Sequence, residues 1–328
     1  MEKKKLLDQV ADSLRQRRCS KSTISAYTKW IKAYIIFHNK KHPSELNNEH
    51  VRLFIQHLVI DLKLSDSTQK QAFCSIIYLY KMLGIKLNHV EKIEQPKRSK
   101  RIPAVFAHEE AVRVISNMRG ETKLMAQIMY GSGLRLNEVC KLRIKDIDFG
   151  NNCIIVHEGK GNKDRSALLP SSIIPDLKLQ IQQAQIIYSK NALNKNYNGV
   201  FLPDSVENKY PSAAFEFKWF YLFPARQLVK KIDKQYHLHD SLLQKQVKYA
   251  VLKAGVNKFA SCHTFRHSFA TELIKSHVDI RTVQELLGHA NIKTTQVYLH
   301  IIPNDFNYAV SPLDKQNDSF NVLRLVNG

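Results

Sequence analysis

The chain has few cysteines, and none is arranged to build a disulfide framework or a metal site. Its 328 residues include five cysteines, and no two of them form a C-x-x-C pair. An odd, scattered set argues against a disulfide scaffold and a cysteine-ligated zinc site, and it favours a reducing compartment. The five are Cys19, Cys74, Cys140, Cys153 and Cys262.

The sequence also lacks a long hydrophobic run. No stretch reaches the roughly 20 apolar residues that a membrane-spanning helix needs. The first ten residues, MEKKKLLDQV, are basic and lack the apolar core of a signal peptide. We therefore expect no membrane partner and no signal-directed export.

Acidic residues are scarce relative to basic ones. Fifty Lys and Arg stand against 29 Asp and Glu, which gives a formal net charge of +21. A surplus this large on a globular chain is typical of a protein with a polyanionic partner. Nucleic acid is therefore the favoured partner, and the simpler alternative is a solvated basic surface. The length suffices for two domains.

The first ninety or so residues predict four short helices. Apolar residues recur at helical spacing in four segments. Ser20 or Ser22 and Ser65 or Ser67 are the predicted N-caps of two of these helices. We expect residues 1–95 to form an all-α helical bundle that binds DNA. The four apolar stripes begin at Leu6, Ile24, Val51 and Phe73.

A basic segment follows the predicted bundle. In IEQPKRSKRIP, residues 93–103, two prolines bracket four Lys and Arg residues, and there is no apolar period. This composition predicts an interdomain linker over residues 96–103. Its charge suits a segment that crosses a nucleic-acid backbone. The expected phosphate contacts are Lys97, Arg98, Lys100 and Arg101.

Residues 104–328 predict a mixed α+β domain with a small antiparallel sheet. CIIVHEGKGNKDRSALLP contains two short β-rich runs around a glycine-containing turn, which is typical of a hairpin. The segments around it are helical by pattern. Residues 196–240 are irregular and rich in aromatic side chains, and we interpret them as an insertion. Residues 303–328 are expected to form a C-terminal tail.

Two histidines and an arginine cluster in ASCHTFRHSFA. On a helix His263, Arg266 and His267 fall at i, i+3 and i+4, so they share one face. The histidine spacing resembles a zinc pair, but the glutamate of H-E-x-x-H is absent and an arginine stands nearby. We therefore expect no metal here, and we interpret His267 as a buried structural histidine.

Two glycine-containing segments, GSGLRLNE and GKGNKDR, place cations beside glycines without matching a P-loop. In LLGHANIKTTQVYLH, Gly288 is a predicted helix C-cap, the Thr294–Thr295 pair a predicted N-cap, and Tyr298 falls one turn into the next helix. Guanidiniums can grip phosphate oxygens, while imidazoles and an ammonium can move protons. The set therefore suits attack on a phosphodiester: Arg135, Lys160, His263, Arg266, His289 and Tyr298.

GSGLRLNE, GKGNKDR, CHTFRHSFATELI and ELLGHANIKTTQVYLH resemble the signature segments of the tyrosine recombinases, the integrase-type DNA strand-exchange enzymes. Their order and spacing match, and the two-domain layout fits as well. By this resemblance Arg135 and Arg266 form a phosphate clamp, and Lys160 is the general acid for the departing 5′ oxygen.

The same resemblance implies roles for the other candidates. His263 assists proton transfer and His289 hydrogen-bonds the phosphate. Tyr298 is the nucleophile and becomes joined to the 3′ phosphate. Glu138, one turn beyond Arg135, orients that guanidinium; the alternative is an ordinary surface carboxylate. Neither a metal nor a nucleotide cofactor is implied, because the phosphotyrosine retains the bond energy.

The insertion is similar to one found in the integron integrases. YPSAAFEFKWFYLFPARQ resembles the segment peculiar to that subfamily, whose members integrate and excise gene cassettes at folded single-stranded hairpin sites. Aromatic rings can stack on an unpaired base at about 1–3 kcal/mol each. We expect most of these aromatics to pack internally. The candidates for DNA contact are Trp219 first, then Phe217 and Tyr221, with His237 and His239 as further candidates.

The resemblance also implies partners and a location. The implied partner is DNA, as duplex and folded hairpin sites. The synaptic complex would contain four protomers of the chain, and the protein would be located in the bacterial cytoplasm, at the nucleoid. Alternatives are a phage- or transposon-type integrase or a chromosome-dimer resolvase, which would act on duplex sites. A non-catalytic DNA-binding protein is an alternative of another class. Type IB topoisomerases share the chemistry, but the small size and helical first domain resemble the recombinases more.

Overall fold

The computed structural model divides the chain into two compact units, within Met1–Arg101 and Ile102–Gly328. The predicted tail at 303–328 and all of the predicted linker except Pro103 lie outside the described residues, so the predicted domain boundaries stay predictions. The structure describes residues 5–87, 103–157, 164–230 and 232–299.

The first unit is all-α, as the apolar stripes predict. Ser20 is the N-cap of the second helix, where its hydroxyl accepts a hydrogen bond from the backbone N–H of Thr23 at 3.1 Å. The buried hydroxyls of Tyr34 and Tyr80 lie 2.8 Å apart and join the second and fourth helices. The helices are α1 (Leu6–Gln16), α2 (Lys21–Phe37), α3 (Asn48–Ile60) and α4 (Asp66–Met82).

The second unit contains helices and a small antiparallel sheet, which confirms the predicted α+β class. Its sheet has the order β1-β2-β3, and Cys153 pairs with Leu168 across the predicted hairpin. The strands are β1 (Ile147–Asp148), β2 (Cys153–Val156) and β3 (Arg165–Leu168). The helices are α5 (His108–Ser116), α6 (Gly120–Ser132), α7 (Leu136–Lys141), α8 (Ile174–Ala192), α9 (Asp204–Lys209), α10 (Asp240–Lys253), α11 (Cys262–Lys275), α12 (Ile280–Leu287) and α13 (Lys293–Gln296).

The predicted insertion is fixed to the body of the second unit by a buried arginine. The Arg143 guanidinium donates hydrogen bonds to the backbone carbonyls of Phe201 and Trp219 and lies 4.6 Å from the Tyr221 ring centroid. These carbonyls and the ring replace the water that the buried Arg143 guanidinium would otherwise bind. The segment therefore packs as part of the second unit. The backbone of residues 220–222 also bonds to that of residues 142–144.

The centre of the unit is the contact between α6 and α11. Gly133 ends α6 in the left-handed conformation, with φ of +67°. A Cβ atom at this position would lie 2.4 Å from Cδ1 of Phe269 on α11. The close approach of the two helices therefore depends on a residue without a side chain.

We predict that Gly133→Ala lowers the free energy of unfolding by about 2–4 kcal/mol, because a left-handed alanine costs about 1 kcal/mol and the clash with Phe269 adds more. Gly255→Ala is the matched control: Gly255 has φ of +65° but nothing within 4 Å of the added Cβ. Gly255→Ala should lower the free energy of unfolding by only about 1 kcal/mol. Thermal and urea unfolding of the full chain measure both. Equal losses would contradict the packing argument.

Candidate active site

A network of charged and titratable side chains joins α7, β3, α11 and the segments after α12 and α13. Arg135 is the N-cap residue of α7, and Arg266 lies in the second turn of α11. α11 begins at a capping box in which the Thr264 hydroxyl accepts a hydrogen bond from the Ser261 N–H at 3.0 Å. This start fixes which face of α11 points into the site.

Arg266 is almost fully buried, with 3% of its surface exposed. Its guanidinium donates hydrogen bonds to the backbone carbonyls of Gly133 at 2.5 Å and Leu287 at 2.6 Å. These carbonyls lie at the C-terminal ends of α6 and α12, where the helix dipoles favour a cation. Burial and then the charge of Arg135 lower the pKa of Arg266 to about 9, so the group remains protonated at neutral pH.

Among the described residues, the carboxylate that contacts the neighbouring arginines is that of Glu138. Glu138 accepts hydrogen bonds from the backbone N–H of Arg135 at 2.8 Å and from its guanidinium at 2.7 Å. It also accepts two from Arg165, at 3.1 and 2.7 Å. Its nearest approach to Arg266 is 3.9 Å. Burial raises the pKa of Glu138, but the hydrogen bonds and charge of Arg165, followed by the hydrogen bonds of Arg135, outweigh burial and lower it to about 2.

Arg165 was missed by the reasoning from sequence. It is the first residue of β3, only 8% of its side chain is exposed, and its Nε donates to the Leu286 carbonyl at 3.0 Å. The signal was available, because Arg165 closes the segment GKGNKDR. Gly288 makes room for it, since a Cβ there would lie 2.8 Å from Cδ of Arg165. The predicted C-cap at Gly288 is confirmed, with φ of +60°.

His289 is a neutral imidazole between Arg266 and Thr295. Its Nε2 lies 3.1 Å from Nη2 of Arg266, and its Nδ1 lies 2.9 Å from the Thr295 hydroxyl. Because a guanidinium only donates, Nε2 accepts and Nδ1 carries the proton. Burial, followed by the charges of Arg266 and Arg135, lowers the pKa of His289 to about 3.

Two details predicted for this segment were wrong. Thr294 and Thr295 lie inside α13 rather than at its N-cap, which is Ile292, because the Thr295 hydroxyl bonds to His289 instead of to the backbone. Tyr298 follows α13 instead of lying one turn inside a helix, since α13 ends at Gln296.

The Tyr298 side chain is buried, with 3% exposed. Its hydroxyl lies 2.9 Å from Nδ1 of His267. Burial raises the pKa of Tyr298, while Arg266 and Arg135 act in the opposite direction. Burial, then His263 and Arg266, lower the pKa of His267 to about 4. The interpretation of His267 as merely structural did not foresee a contact with a residue 31 positions away.

The remaining predicted site residues differ in how far the structure describes them. His263 is at the solvent edge of the site, where partial burial and the charges of Arg266 and Arg135 lower its pKa. Lys160 lies outside the described residues. In the described residues that flank it in the sequence, His157 Nδ1 and Asp164 Oδ2 are 2.8 Å apart. The linker cations Lys97, Arg98, Lys100 and Arg101 also lie outside the described residues.

The insertion residues divide by exposure. Trp219 is half-buried, with Nζ of Lys145 4.5 Å from its ring centroid. Phe217 is half-buried and packs against other aromatic rings. His239 is exposed and caps α10. Tyr221 and His237 are buried, with 3% and 9% exposed, so both contribute to packing here.

The charges of the network do not balance. Among the described residues, Arg135, Arg165 and Arg266 contribute three guanidiniums and Glu138 one carboxylate, which leaves two positive charges uncompensated within this part of the chain. Such a site is suited to bind an anion with several oxygen acceptors. Within the part of the chain that the structure describes, no group of His, Cys, Asp and Glu could hold a metal ion, and no helix is long and apolar enough to cross a membrane.

Two family descriptions match the chain. The Phage integrase family matches residues 104–304, and the phage integrase N-terminal SAM-like domain matches residues 6–87. An integrase/recombinase of Escherichia coli is 39% identical over 94% of this chain and 93% of its own length. A tyrosine recombinase of Thermosipho africanus is 28% identical over 94% of this chain and 99% of its own.

Solved structures share the fold. The XerH site-specific recombinase bound to a palindromic difH substrate, in a post-cleavage complex, is 21% identical, with a TM-score of 0.64 over 94% of this chain and 85% of that one. A lambda integrase dimer bound to a COC′ core site is 14% identical, with a TM-score of 0.61 over 89% of this chain and 93% of that one.

We predict that Glu138→Gln lowers the free energy of unfolding at pH 7 by about 3 kcal/mol or more, because it leaves buried guanidiniums without their carboxylate. The folded-state pKa is lowered, so the wild-type advantage should be complete above the unfolded value near 4.5 and disappear as the pH falls towards about 2. Urea unfolding at several pH values measures this.

Glu110→Gln is the matched control for this variant. Glu110 likewise accepts a hydrogen bond from the backbone N–H at the N-cap of its helix, but its ion-pair partner is the part-exposed Lys258 instead of buried arginines. Glu110→Gln should lower the free energy of unfolding by about 1 kcal/mol. A Glu138→Gln variant no less stable than the control would mean that the arginines do not need this carboxylate.

Proposed function

The chain belongs to the phage integrase family of tyrosine-type site-specific DNA recombinases, and we propose that it is an integrase of the integron type, which cuts and rejoins DNA to integrate and excise gene cassettes. The observation that carries the proposed chemistry is the buried arginine network with two uncompensated positive charges beside a tyrosine hydroxyl. The integron assignment is supported by the resemblance of the insertion.

In the proposed reaction, the Tyr298 oxygen attacks the phosphorus of a DNA phosphodiester. A bond forms from the tyrosine oxygen to phosphorus, and the bond to the 5′ oxygen breaks. Lys160 supplies the proton that the 5′ oxygen takes up. The product is a 3′-phosphotyrosine, and attack by a 5′ hydroxyl of another strand reverses these changes and joins the new strands.

The proposed clamp, Arg135 and Arg266, stabilises the charge that develops on the non-bridging oxygens in the transition state. Arg266 suits this role because it is protonated at neutral pH and is already held by the Gly133 and Leu287 carbonyls. A donor that is oriented beforehand does not reorganise during the reaction. Glu138 positions Arg135 by hydrogen bonds to its backbone and side chain.

The proposed remaining roles follow from position. His263, at the solvent edge, assists proton transfer. His289 hydrogen-bonds the phosphate next to Arg266, which requires the proton on Nε2 instead of the Nδ1 tautomer that accepts from Arg266. The partner is DNA, and the active assembly is a tetramer of the chain on two sites. The XerH structure, bound to a difH substrate, and the lambda integrase structure, bound to a COC′ core site, support the DNA partner by their shared fold.

We propose that the DNA sites include folded single-stranded hairpins whose unpaired bases contact the insertion. Trp219 is the best candidate for stacking, since its ring is half-buried and two cations, Arg143 and Lys145, lie against it. Phe217 and the exposed His239 are secondary candidates. The burial of Tyr221 and His237 gives them a lower rank than the sequence alone suggests.

We predict that Tyr298→Phe binds DNA but forms no covalent adduct, because it lacks the attacking oxygen. The measurement is a denaturing gel of protein trapped on a nicked DNA site. Tyr130→Phe is the matched control, since the Tyr130 hydroxyl lies 3.0 Å from Nδ1 of His108, outside the network. The control should form the adduct at nearly the wild-type rate. An adduct in the Tyr298→Phe lane would remove Tyr298 as the nucleophile.

We predict that Trp219→Ala weakens binding to a folded hairpin with unpaired bases by about 5- to 150-fold, the loss of about 1–3 kcal/mol of stacking. Binding to a duplex site of the same sequence should change by less than about twofold. Tyr210→Ala is the control, because Tyr210 is an insertion aromatic with 64% exposed. Titration of both DNAs with each variant gives the ratio of its affinity for the hairpin to its affinity for the duplex. Equal losses on the two DNAs would contradict contact with an unpaired base.

A further inference from the structure

The Tyr298 hydroxyl meets an imidazole rather than an arginine. Among the described residues, its hydrogen-bond partner is Nδ1 of His267, at 2.9 Å. The two rings are 5.6 Å apart between centroids. The contact is shielded, since 3% of Tyr298 is exposed. A nucleophile and a base within hydrogen-bond reach are the usual arrangement for activating a hydroxyl.

The direction of this hydrogen bond follows from the groups around it. His267 is neutral because burial and the charges of His263 and Arg266 lower its pKa to about 4. A phenol that is not ionised has one proton to donate, and Nδ1 is the acceptor it faces. Donation by the phenol to Nδ1 requires the tautomer of His267 that carries its own proton on Nε2.

The position of His267 is fixed by the same helix that carries Arg266. The two residues are adjacent on α11, and the Thr271 hydroxyl donates to the His267 carbonyl at 3.0 Å. The stacked ring of His289 lies 6.4 Å from that of Tyr298. His267 and the buried guanidinium thus hold fixed positions relative to each other, which a proton acceptor beside the phosphate requires.

We propose that His267 is a catalytic residue of this chain, which positions the Tyr298 hydroxyl and accepts its proton as the oxygen attacks phosphorus. The inference rests on the proposed role of Tyr298 as the nucleophile. As the bond from oxygen to phosphorus forms, the O–H bond breaks and the proton moves to Nδ1. The 5′ oxygen leaves with a proton from the general acid. On rejoining, the imidazolium returns its proton to the departing phenol oxygen.

The charges around His267 favour this transfer once DNA is bound. The groups that act on the imidazole are His263 and Arg266 on its own helix, with His289 after α12 and Tyr298 after α13. Among the described residues, no charged group of α5, α6, α10 or α12, the helices that pack on α11, changes the pKa of His267. A phosphodiester anion held by the arginines offsets their charge, so DNA binding makes His267 a stronger base.

The test uses His267→Leu, which removes the acceptor, and His267→Asn, which retains a hydrogen-bond acceptor but cannot take up a proton. The substrate is a DNA site with a 5′-bridging sulfur at the scissile phosphate. Its thiolate leaving group needs no general acid, so adduct formation reports the attack of Tyr298. The measured quantity is the single-turnover rate of adduct formation in the full-length protein from pH 6 to 8.

We predict a rate for wild type that changes little with pH over this range. His267→Leu should be about 100-fold slower at pH 7, the usual size of a lost general base. Its rate should rise about tenfold per pH unit, because the phenol must first ionise in solvent. The rate of His267→Asn should also rise about tenfold per pH unit, including in the case where its rate at pH 7 lies between those of His267→Leu and wild type. His108→Leu, at the comparable Tyr130 contact, should match wild type.

Two outcomes would overturn the proposal. A His267→Leu variant with the rate and flat profile of wild type would show that Tyr298 needs no help from this imidazole. A His267→Asn variant that recovers both the rate and the flat profile would show that no proton moves to the residue. Tyr298→Phe on the same substrate distinguishes these failures from failure of the proposed function, since an adduct there would mean that the nucleophile is another residue.

Discussion

The site depends on a cation buried where two helices end. The Arg266 guanidinium gives up its hydration, and the carbonyls of Gly133 and Leu287 at the ends of α6 and α12 replace it. Both helices stop at a left-handed glycine, with φ of +67° at Gly133 and +60° at Gly288. These caps turn the chain so that carbonyls face inward and so that Phe269 and Arg165 can approach. The electrostatics of the site therefore rest on backbone geometry.

The imbalance of charge has a cost and a use. Among the described residues, the Glu138 carboxylate accepts hydrogen bonds from the guanidiniums of Arg135 and Arg165, whereas Arg266 relies on neutral carbonyls and a carboxylate 3.9 Å away. A second acid would stabilise the free protein, but it would also occupy the place of a phosphate. Burial lowers the pKa of His289 first, and the excess positive charge of these arginines lowers it further. The site thus holds neutral imidazoles and permanent guanidiniums side by side.

Sequence reasoning predicted the features that have local signals. Apolar periodicity located the helices of the first unit, the glycine turn located the β2–β3 hairpin, and Gly288 was recognised as a cap. Contacts between distant positions could not be predicted, because they depend on how helices pack. The bond from His267 to Tyr298 is of this kind. The packing of the insertion on Arg143 was equally invisible, since nothing local marks that arginine as buried.

The adjacency of Arg266 and His267 has a geometric meaning. Neighbouring residues on a helix point about 100° apart, with a rise of about 1.5 Å between them. The adjacent side chains of Arg266 and His267 therefore point in different directions from the same turn of α11. Arg266 points to the helix ends and the proposed phosphate position, and His267 points to the Tyr298 hydroxyl. A movement of α11 would displace both together and preserve their spacing. The groups that would receive the Tyr298 proton and bind its target are therefore fixed to one rigid element, in the relative positions that a concerted attack and proton transfer require.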